Sequence, residues 1–368
     1  MIFAIRADAS IQIGSGHIIR CLSIADQLKA QGHQCFFISR NHDGNLADFV
    51  TQRGYKVYTL ENNQAWVELT FDSEYQKWLG VSEECDATQT KDLITAKYQR
   101  VDWIIVDHYG LSAQWESSLR DVTKHILAID DLANRRHDAD IILDCGVINS
   151  EQDYQLLNKG EAQILLGAKY ALLRPEFAEY RQKIKKNELN TAKQKLKFLI
   201  NLGGVDKDNL TTQILDVFEH SILPYDAELT VIMGLNAPWK SMVIEKAQQS
   251  RYTTQVLVNV SNMAELMVNH DLAIGAAGST AWERCCLGLP TIMICMADNQ
   301  KMIAKGLQDL GVTISLDQHE IGTQLSTVLQ AVTLSQLHEM QNKSLQITDG
   351  LGVDLLIHEI LQKSPIQC

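Results

Sequence analysis

Two α/β domains of Rossmann-like type, each with a mostly parallel sheet, are what this sequence predicts, and three observations carry the prediction. Short apolar runs recur along the chain, and most of them end on glycine or on a polar side chain. Stretches with helical spacing lie between them, and strands that alternate with helices pair in parallel. The chain has 368 residues, more than one hydrophobic core ordinarily fills.

The first run, residues 2–5, reads as a buried strand. Asp8, Ala9 and Ser10, then Gly14, Ser15, Gly16 and His17, lead into a helix with Ile18, Leu22, Ala25 and Leu28 on one face, ended by Gly32. Residues 35–39, 57–60, 103–107 and 125–131 continue the strand series, while 62–89 is polar and takes no assignment. Ligands of open parallel sheets gather outside the carboxyl ends of the strands. Asp8, Asp107, His108, Tyr109, Asp130 and Asp131 are therefore expected to converge there beside His17.

Pro175 and the charged segment that follows it mark a boundary. The expected division is a first domain over 1–175, a connecting helix and linker over 176–196, a second domain over 197–350 and a docking helix over 351–368. The second series starts with a strand at 198–202, followed by Gly203, Gly204, Val205 and Asp206 and a helix from about Asn209. Strands at 229–233, 256–260, 272–274 and 291–295 follow. Near the end Val353, Leu356, Ile357, Ile360 and Leu361 form one apolar helical face that has to dock on something.

Composition excludes several classes. Hydrophobic residues are 45% and charged residues 21% of the chain, as in a folded globular protein. A net charge of −12 argues against broad binding to nucleic acid, while one local pocket for a small anion stays compatible with it. The cysteines, Cys21, Cys35, Cys85, Cys145, Cys285, Cys286, Cys295 and Cys368, form no C-x-x-C pair and read as buried thiols of a reducing compartment. With no leader-like start and no membrane-length apolar run, the expected location is the cytoplasm. His33, His125, His137, His220, His270 and His358 share no metal-ligand spacing, so no metal is expected.

The loop Gly14-Ser15-Gly16-His17 is not a Walker loop, and Ile19 stands where a dinucleotide fingerprint needs its third glycine. NAD-dependent chemistry is disfavoured accordingly. An imidazole at a helix N-terminus is disfavoured in its charged form and is then a competent general base near neutral pH. The alternative is a histidine that only caps the loop. Gly203-Gly204, after a strand and before a helix, lets backbone amides approach an anion, or is a plain tight turn. Residues 275–283 give a strand, a small-residue turn at Gly278, Ser279 and Thr280, and a helix. Small residues there admit a diphosphate, and Glu283 is placed either to accept two ribose hydroxyls or to close a Thr280-x-x-Glu283 capping box. Asp298, Asn299 and Gln300 offer side chains for sugar hydroxyls, or simply a polar loop.

Taken together, Arg6-Ala7-Asp8-Ala9-Ser10, Ile13-Gly14-Ser15-Gly16-His17, Arg20-Cys21-Leu22 and residues 275–290 resemble the UDP-2,4-diacetamido-2,4,6-trideoxy-β-L-altropyranose hydrolase family of pseudaminic acid biosynthesis. Val106-Asp107-His108-Tyr109-Gly110, Asp130-Asp131-Leu132-Ala133-Asn134-Arg135, Leu172-Leu173-Arg174-Pro175-Glu176-Phe177 and Asn201-Leu202-Gly203-Gly204 extend the resemblance over nearly the whole chain. Asp144-Cys145-Gly146 departs from the Asp-Gln-Asn common in the family. The resemblance implies a GT-B-like fold with the active site in the interdomain cleft, and hydrolysis of a UDP-sugar to UDP and free sugar without a cofactor. His17 would activate the water, with Asp8 and Tyr109 orienting it or holding the sugar. Gly14, Gly16, Arg20, Asp107, His108, Asn299 and Gln300 would contact the sugar, and Gly203, Gly204, Gly278, Ser279, Thr280 and Glu283 would hold UDP. A GT-B glycosyltransferase and a non-catalytic nucleotide-sugar-binding protein are the competing readings.

Overall fold

The computed structural model describes residues 1–62, 74–158, 162–184, 195–235 and 237–363. The chain divides into two compact units, one made of Met1–Leu172 with the segment from Val353 on, the other of Leu173–Gly352.

In the first unit the strands are β1 (Ile2–Ala7), β2 (Gln34–Arg40), β3 (Lys56–Leu60), β4 (Val101–Asp107), β5 (Thr123–Ile129), β6 (Ile141–Asp144) and β7 (Gln163–Leu166). They pair in the order β3-β2-β1-β4-β5-β6-β7, every pair parallel. Side-chain alternation fills both faces, as a parallel sheet covered on two sides requires. Phe3, Ile5, Trp103, Ile105, Leu127 and Ile129 pack with Ile18, Cys21, Leu22, Ala25 and Leu28 of the helix Gly16–Ala30. Ala4, Phe36, Ile38, Ile104, Val106 and Ile126 serve the opposite face, with Ile94, Trp115 and Leu119. The C-terminal helix Gly352–Lys363 brings Val353, Leu356, Ile357 and Ile360 into the first of these cores. Its apolar face thus belongs to the unit that begins the chain, although it follows the other unit in sequence.

In the second unit β8 (Lys195–Asn201), β9 (Asp226–Met233), β10 (Thr253–Val258), β11 (Leu272–Ala276), β12 (Thr291–Cys295) and β13 (Thr313–Asp317) pair in the order β10-β9-β8-β11-β12-β13, again all parallel. Phe198, Ile200, Leu229, Val231, Ile274 and Ile292 pack with Ile214 and Phe218 of the helix Leu210–His220 and with Leu325 and Leu329 of the helix Ile321–Ala331. The helix Pro175–Lys183 belongs here too; residues 185–194 of the expected linker lie outside the described residues.

Three strands went unread in the sequence, β6, β7 and β13. β6 and β7 are four residues each, and β6 follows β5 through a loop without a helix, so the alternation that marks the other strands is missing. Within 62–89, residues 63–73 lie outside the described residues, and the rest contains the helix Glu74–Leu79 and the start of the helix Glu83–Tyr98. The latter is N-capped by Ser82, whose hydroxyl accepts from the Cys85 amide, with Glu83, Glu84 and Asp86 in its first turn.

Candidate functional site

In each sheet the chain starts from a central strand, winds one way, and returns on the other side. The switch lies between β1 and β4 in the first unit and between β8 and β11 in the second. The carboxyl ends of those strand pairs are where open α/β sheets bind ligands.

At the first switch, Ser10 shapes the loop. Its carbonyl accepts from the Gly14 amide at 2.9 Å and its hydroxyl from the Ile13 amide at 2.9 Å. Gly14 has φ of +80°, a backbone that only glycine adopts freely, and Gly16 opens the helix that carries His17 and Arg20. In the sheet register Asp107 pairs with Ala7, so the end of β4 stands level with the start of that loop. His17 Nδ1 lies 2.6 Å from Asp107 Oδ1. One helical turn on, Arg20 grips the same carboxylate through Nε to Oδ2 at 2.6 Å and Nη2 to Oδ1 at 2.6 Å, and reaches Asp131 Oδ2 at 3.1 Å through Nη1. Tyr109 donates to Asp131 Oδ1 at 2.5 Å, and its ring stands edge-on to His17 with centroids 4.9 Å apart.

Burial works to raise the Asp107 pKa, but Arg20 and His17 outweigh it and hold the carboxyl well below the usual range. An ionised acceptor at Nδ1 selects the imidazole tautomer with its proton there and leaves the Nε2 lone pair free. Burial, and Asp131 beside it, push the Tyr109 phenol well above its ordinary value, so its proton stays on the bond to Asp131. Asp107 and Tyr109 thus order the imidazole and its surroundings.

Asp8 and His108 have different surroundings from those expected. Asp8 is fully buried and takes a bidentate bond from Arg6, at 2.5 and 2.9 Å, with the Arg40 amide at 2.7 Å. Arg6 also binds Asp86, which accepts from Arg40 Nη2 at 2.6 Å and from Trp115 Nε1 at 2.9 Å. Against the cost of burial, Arg6 keeps the Asp8 carboxyl well below its ordinary pKa. His108 accepts from the Gly110 amide at 3.0 Å, and burial pushes it down to about 3, so it is neutral. Both side chains are thus buried within this charge network, Asp8 fully and His108 to 2% exposure. Asp86, at the centre of this network, was hidden in the unassigned 62–89 segment.

At the second switch, Asn201 pairs in register with Gly275. Gly203 has φ of +91°, and Gly204 is packed so tightly that a Cβ on Gly234 would stand 1.9 Å from its carbonyl oxygen. The helix after this loop is already capped, because the Asp206 carboxylate accepts from the Leu210 and Thr211 amides at 2.9 and 3.0 Å. Those helix-terminal amides are therefore not free for an anion, and the loop amides themselves are what remains. Gly275 makes room for Arg284, whose Nη2 donates to the Ala276 carbonyl at 2.7 Å and Nη1 to Thr280 Oγ1 at 3.2 Å. A Cβ on Gly278 would meet nothing within 4 Å, which leaves the turn open.

The capping box is not made. The helix Thr280–Cys286 has Ser279 at its N-cap with no side-chain bond, and the Thr280 hydroxyl is engaged by Arg284. Glu283 is only 9% exposed, and among the described residues no hydrogen bond reaches its carboxyl; burial pushes that carboxyl up to about 7. Beyond β12, Gln300 Oε1 is occupied by the Met296 amide at 3.0 Å, while Asn299 is half-buried in the turn Asp298–Gln300. Among the described residues no cluster of three or more His, Cys, Asp or Glu is placed to hold a metal ion, and no helix is long and apolar enough to cross a membrane.

Two parallel α/β units with loop sites at both switch points define a GT-B-like protein. The crystal structure of MurG from Acinetobacter baumannii superposes with a TM-score of 0.63, at 16% identity, covering 98% of this chain and 99% of that one. Residues 176–351 match the model of the glycosyltransferase family 28 C-terminal domain. The chain is 27% identical over 84% of its length to the UDP-2,4-diacetamido-2,4,6-trideoxy-beta-L-altropyranose hydrolase of Campylobacter jejuni, spanning 97% of that protein. It is 26% identical over 83% of its length to an uncharacterized protein of Methanocaldococcus jannaschii, of which it spans 59%. The chain thus has a GT-B-like fold and is similar over most of its length to the Campylobacter hydrolase.

Proposed function

We propose that the protein hydrolyses a UDP-linked diacetamido-trideoxy sugar, the altropyranose derivative named for its Campylobacter relative, to free sugar and UDP, as a step in pseudaminic acid biosynthesis. The observation that carries this reading is the His17–Asp107 contact at 2.6 Å at the switch point of the first unit, with Nε2 free of any hydrogen bond among the described residues. Nε2 takes a proton from water as the water oxygen bonds to the anomeric carbon, and the bond from that carbon to the diphosphate oxygen breaks. Ionised Asp107 stabilises the imidazolium that forms, and UDP departs carrying the electron pair. General-base assistance of this kind is worth about 10²–10⁴-fold in rate.

In the second unit, Glu283 accepts from both ribose hydroxyls, and the diphosphate lies against the amides of Gly203, Gly204 and the Gly278-Ser279-Thr280 turn. The Glu283 carboxyl supports this, since among the described residues it takes no hydrogen bond, and a buried acceptor without one is costly unless a ligand completes it. Gly14, Gly16, Arg20, Asn299 and Gln300 are the proposed sugar contacts. The family 28 match keeps a glycosyltransferase as the second reading, in which an acceptor hydroxyl takes the place of water.

Purified protein incubated with a panel of UDP-diacetamido-trideoxy sugars, with and without EDTA and with no acceptor present, distinguishes the two by NMR. Free sugar and UDP in equal amounts support hydrolysis. Turnover that appears only on adding a sugar acceptor supports transfer, and substrate that stays bound and intact under both conditions returns the protein to a binding role.

A further inference from the structure

The segment Leu172-Leu173-Arg174-Pro175-Glu176-Phe177 has no part in the reading above. Pro175 starts the helix Pro175–Lys183 and keeps the residue before it out of helical backbone, so Arg174 sits at the N-cap with φ −68° and ψ 148°. Its guanidinium lies over the Phe177 ring, 5.2 Å from the centroid. From there Nη2 is 3.0 Å from Glu176 Oε1 and 3.8 Å from Glu283 Oε1.

Two carboxylates therefore face one guanidinium. The other cations nearby are turned elsewhere: Arg284 binds the Ala276 carbonyl and Thr280, and Arg181 donates to the carbonyls of Cys286 and Leu345. We propose that Arg174 is the positioning residue that favours the ionised form of Glu283 and aims it as the acceptor for the ribose hydroxyls, making UDP binding depend on Arg174 and on pH. The inference rests on the assignment of Glu283 to ribose.

Removing the guanidinium leaves burial and the negative Glu176, both of which favour the protonated form of Glu283, opposed only by the smaller pull of Arg284, whose own hydrogen bonds go to Ala276 and Thr280. A protonated Glu283 has lost acceptor capacity, so UDP affinity should rise with pH as the group ionises. The sign follows from the carboxyl being pushed up to about 7 even with Arg174 present.

Calorimetric titration with UDP between about pH 5.5 and 9, on wild type, Arg174→Gln, Arg174→Lys and Glu283→Gln, tests this. In Arg174→Gln the rise in affinity should move up by about one pH unit, giving about fivefold weaker binding at pH 7 and recovery near pH 9. Arg174→Lys should stay close to wild type. Glu283→Gln should be weak throughout and keep only the titration of the diphosphate itself. An Arg174→Gln curve with the wild-type midpoint, whether or not affinity falls uniformly, overturns the inference while Glu283→Gln still supports the ribose contact. Wild-type affinity in Glu283→Gln overturns the ribose assignment and the inference with it.

Discussion

The carboxyl edges of the two sheets are built on the same topology and from opposite materials. The edge of β1 and β4 is crowded with charge already paired: Arg6 and Arg40 with Asp8 and Asp86, Arg20 with Asp107 and Asp131, His17 with Asp107. The edge of β8 and β11 is made of Gly203, Gly204, Gly275 and Gly278 with small neighbours, and its buried Glu283 has no hydrogen-bond partner among the described residues. The first edge is preorganised, its dipoles fixed before anything binds; the second is shaped, leaving room and one unmet acceptor. Preorganised charge suits a step in which charge develops, and vacant shape with an unmet acceptor suits holding a ligand.

The largest expected effect breaks that comparison if it fails. His17→Ala should lower kcat by about 10²–10⁴-fold while UDP affinity stays within a fewfold of wild type. Turnover and UDP binding measured on the same folded preparation decide it; near-normal turnover removes the base from the first edge.

The charge networks give the next effect. Asp86→Asn leaves Arg6 and Arg40 buried with one carboxylate fewer, and breaking a buried pair costs about 3–5 kcal/mol. Urea unfolding should show the loss in the transition assigned to the first unit. The pH signs of the two edges also differ. Asp8, Asp86 and Asp107 are held below the usual carboxylate range, so their contribution is present above about pH 4 and is lost as pH falls below it.

Glu283 has the opposite sign. Its carboxyl, raised from 4.5 to about 7, favours the folded state below about pH 4.5, and that advantage is lost as pH rises through 7. Glu283→Gln should therefore stabilise the second unit at pH 8 by up to about 3 kcal/mol while weakening UDP binding. Thermal unfolding at pH 5 and pH 8 checks it, because most of the gain should be gone at the lower pH.

How much of this was legible follows the same division. Most strands and both glycine loops could be read, because apolar runs ending on glycine are local signals. That Asp107 lies beside His17 was expected from the carboxyl edge of a parallel sheet; which of the carboxylates there takes the imidazole, across 90 residues, follows from the sheet order and was not. Asp86 was invisible for a related reason: nothing local distinguishes a carboxylate that neutralises two buried arginines from one on a solvated helix. Asp206 had a readable sign, a carboxylate four residues ahead of a helix, but after Gly203 and Gly204 the same stretch also fits an anion loop. The Thr280-x-x-Glu283 pattern shows the converse, a clean capping signature that the chain does not use because the N-cap falls one residue earlier, at Ser279, and Thr280 serves Arg284.

The glycines sharpen the comparison with the smallest effect. Gly14 and Gly203 both have positive φ and open space where a Cβ would go, whereas Gly234 is pressed against the Gly204 carbonyl. Conformation alone thus constrains Gly14, and Gly14→Ala should cost about 1–2 kcal/mol, the usual penalty for a left-handed backbone. Gly14→Asn should recover most of it, because asparagine tolerates that region, while turnover should fall in Gly14→Asn, whose side chain enters the space beside the loop proposed for the sugar. If Gly14→Asn folds with wild-type stability and keeps its turnover, then the space beside the loop is not occupied by substrate, and shape-based recognition stays with the second edge alone.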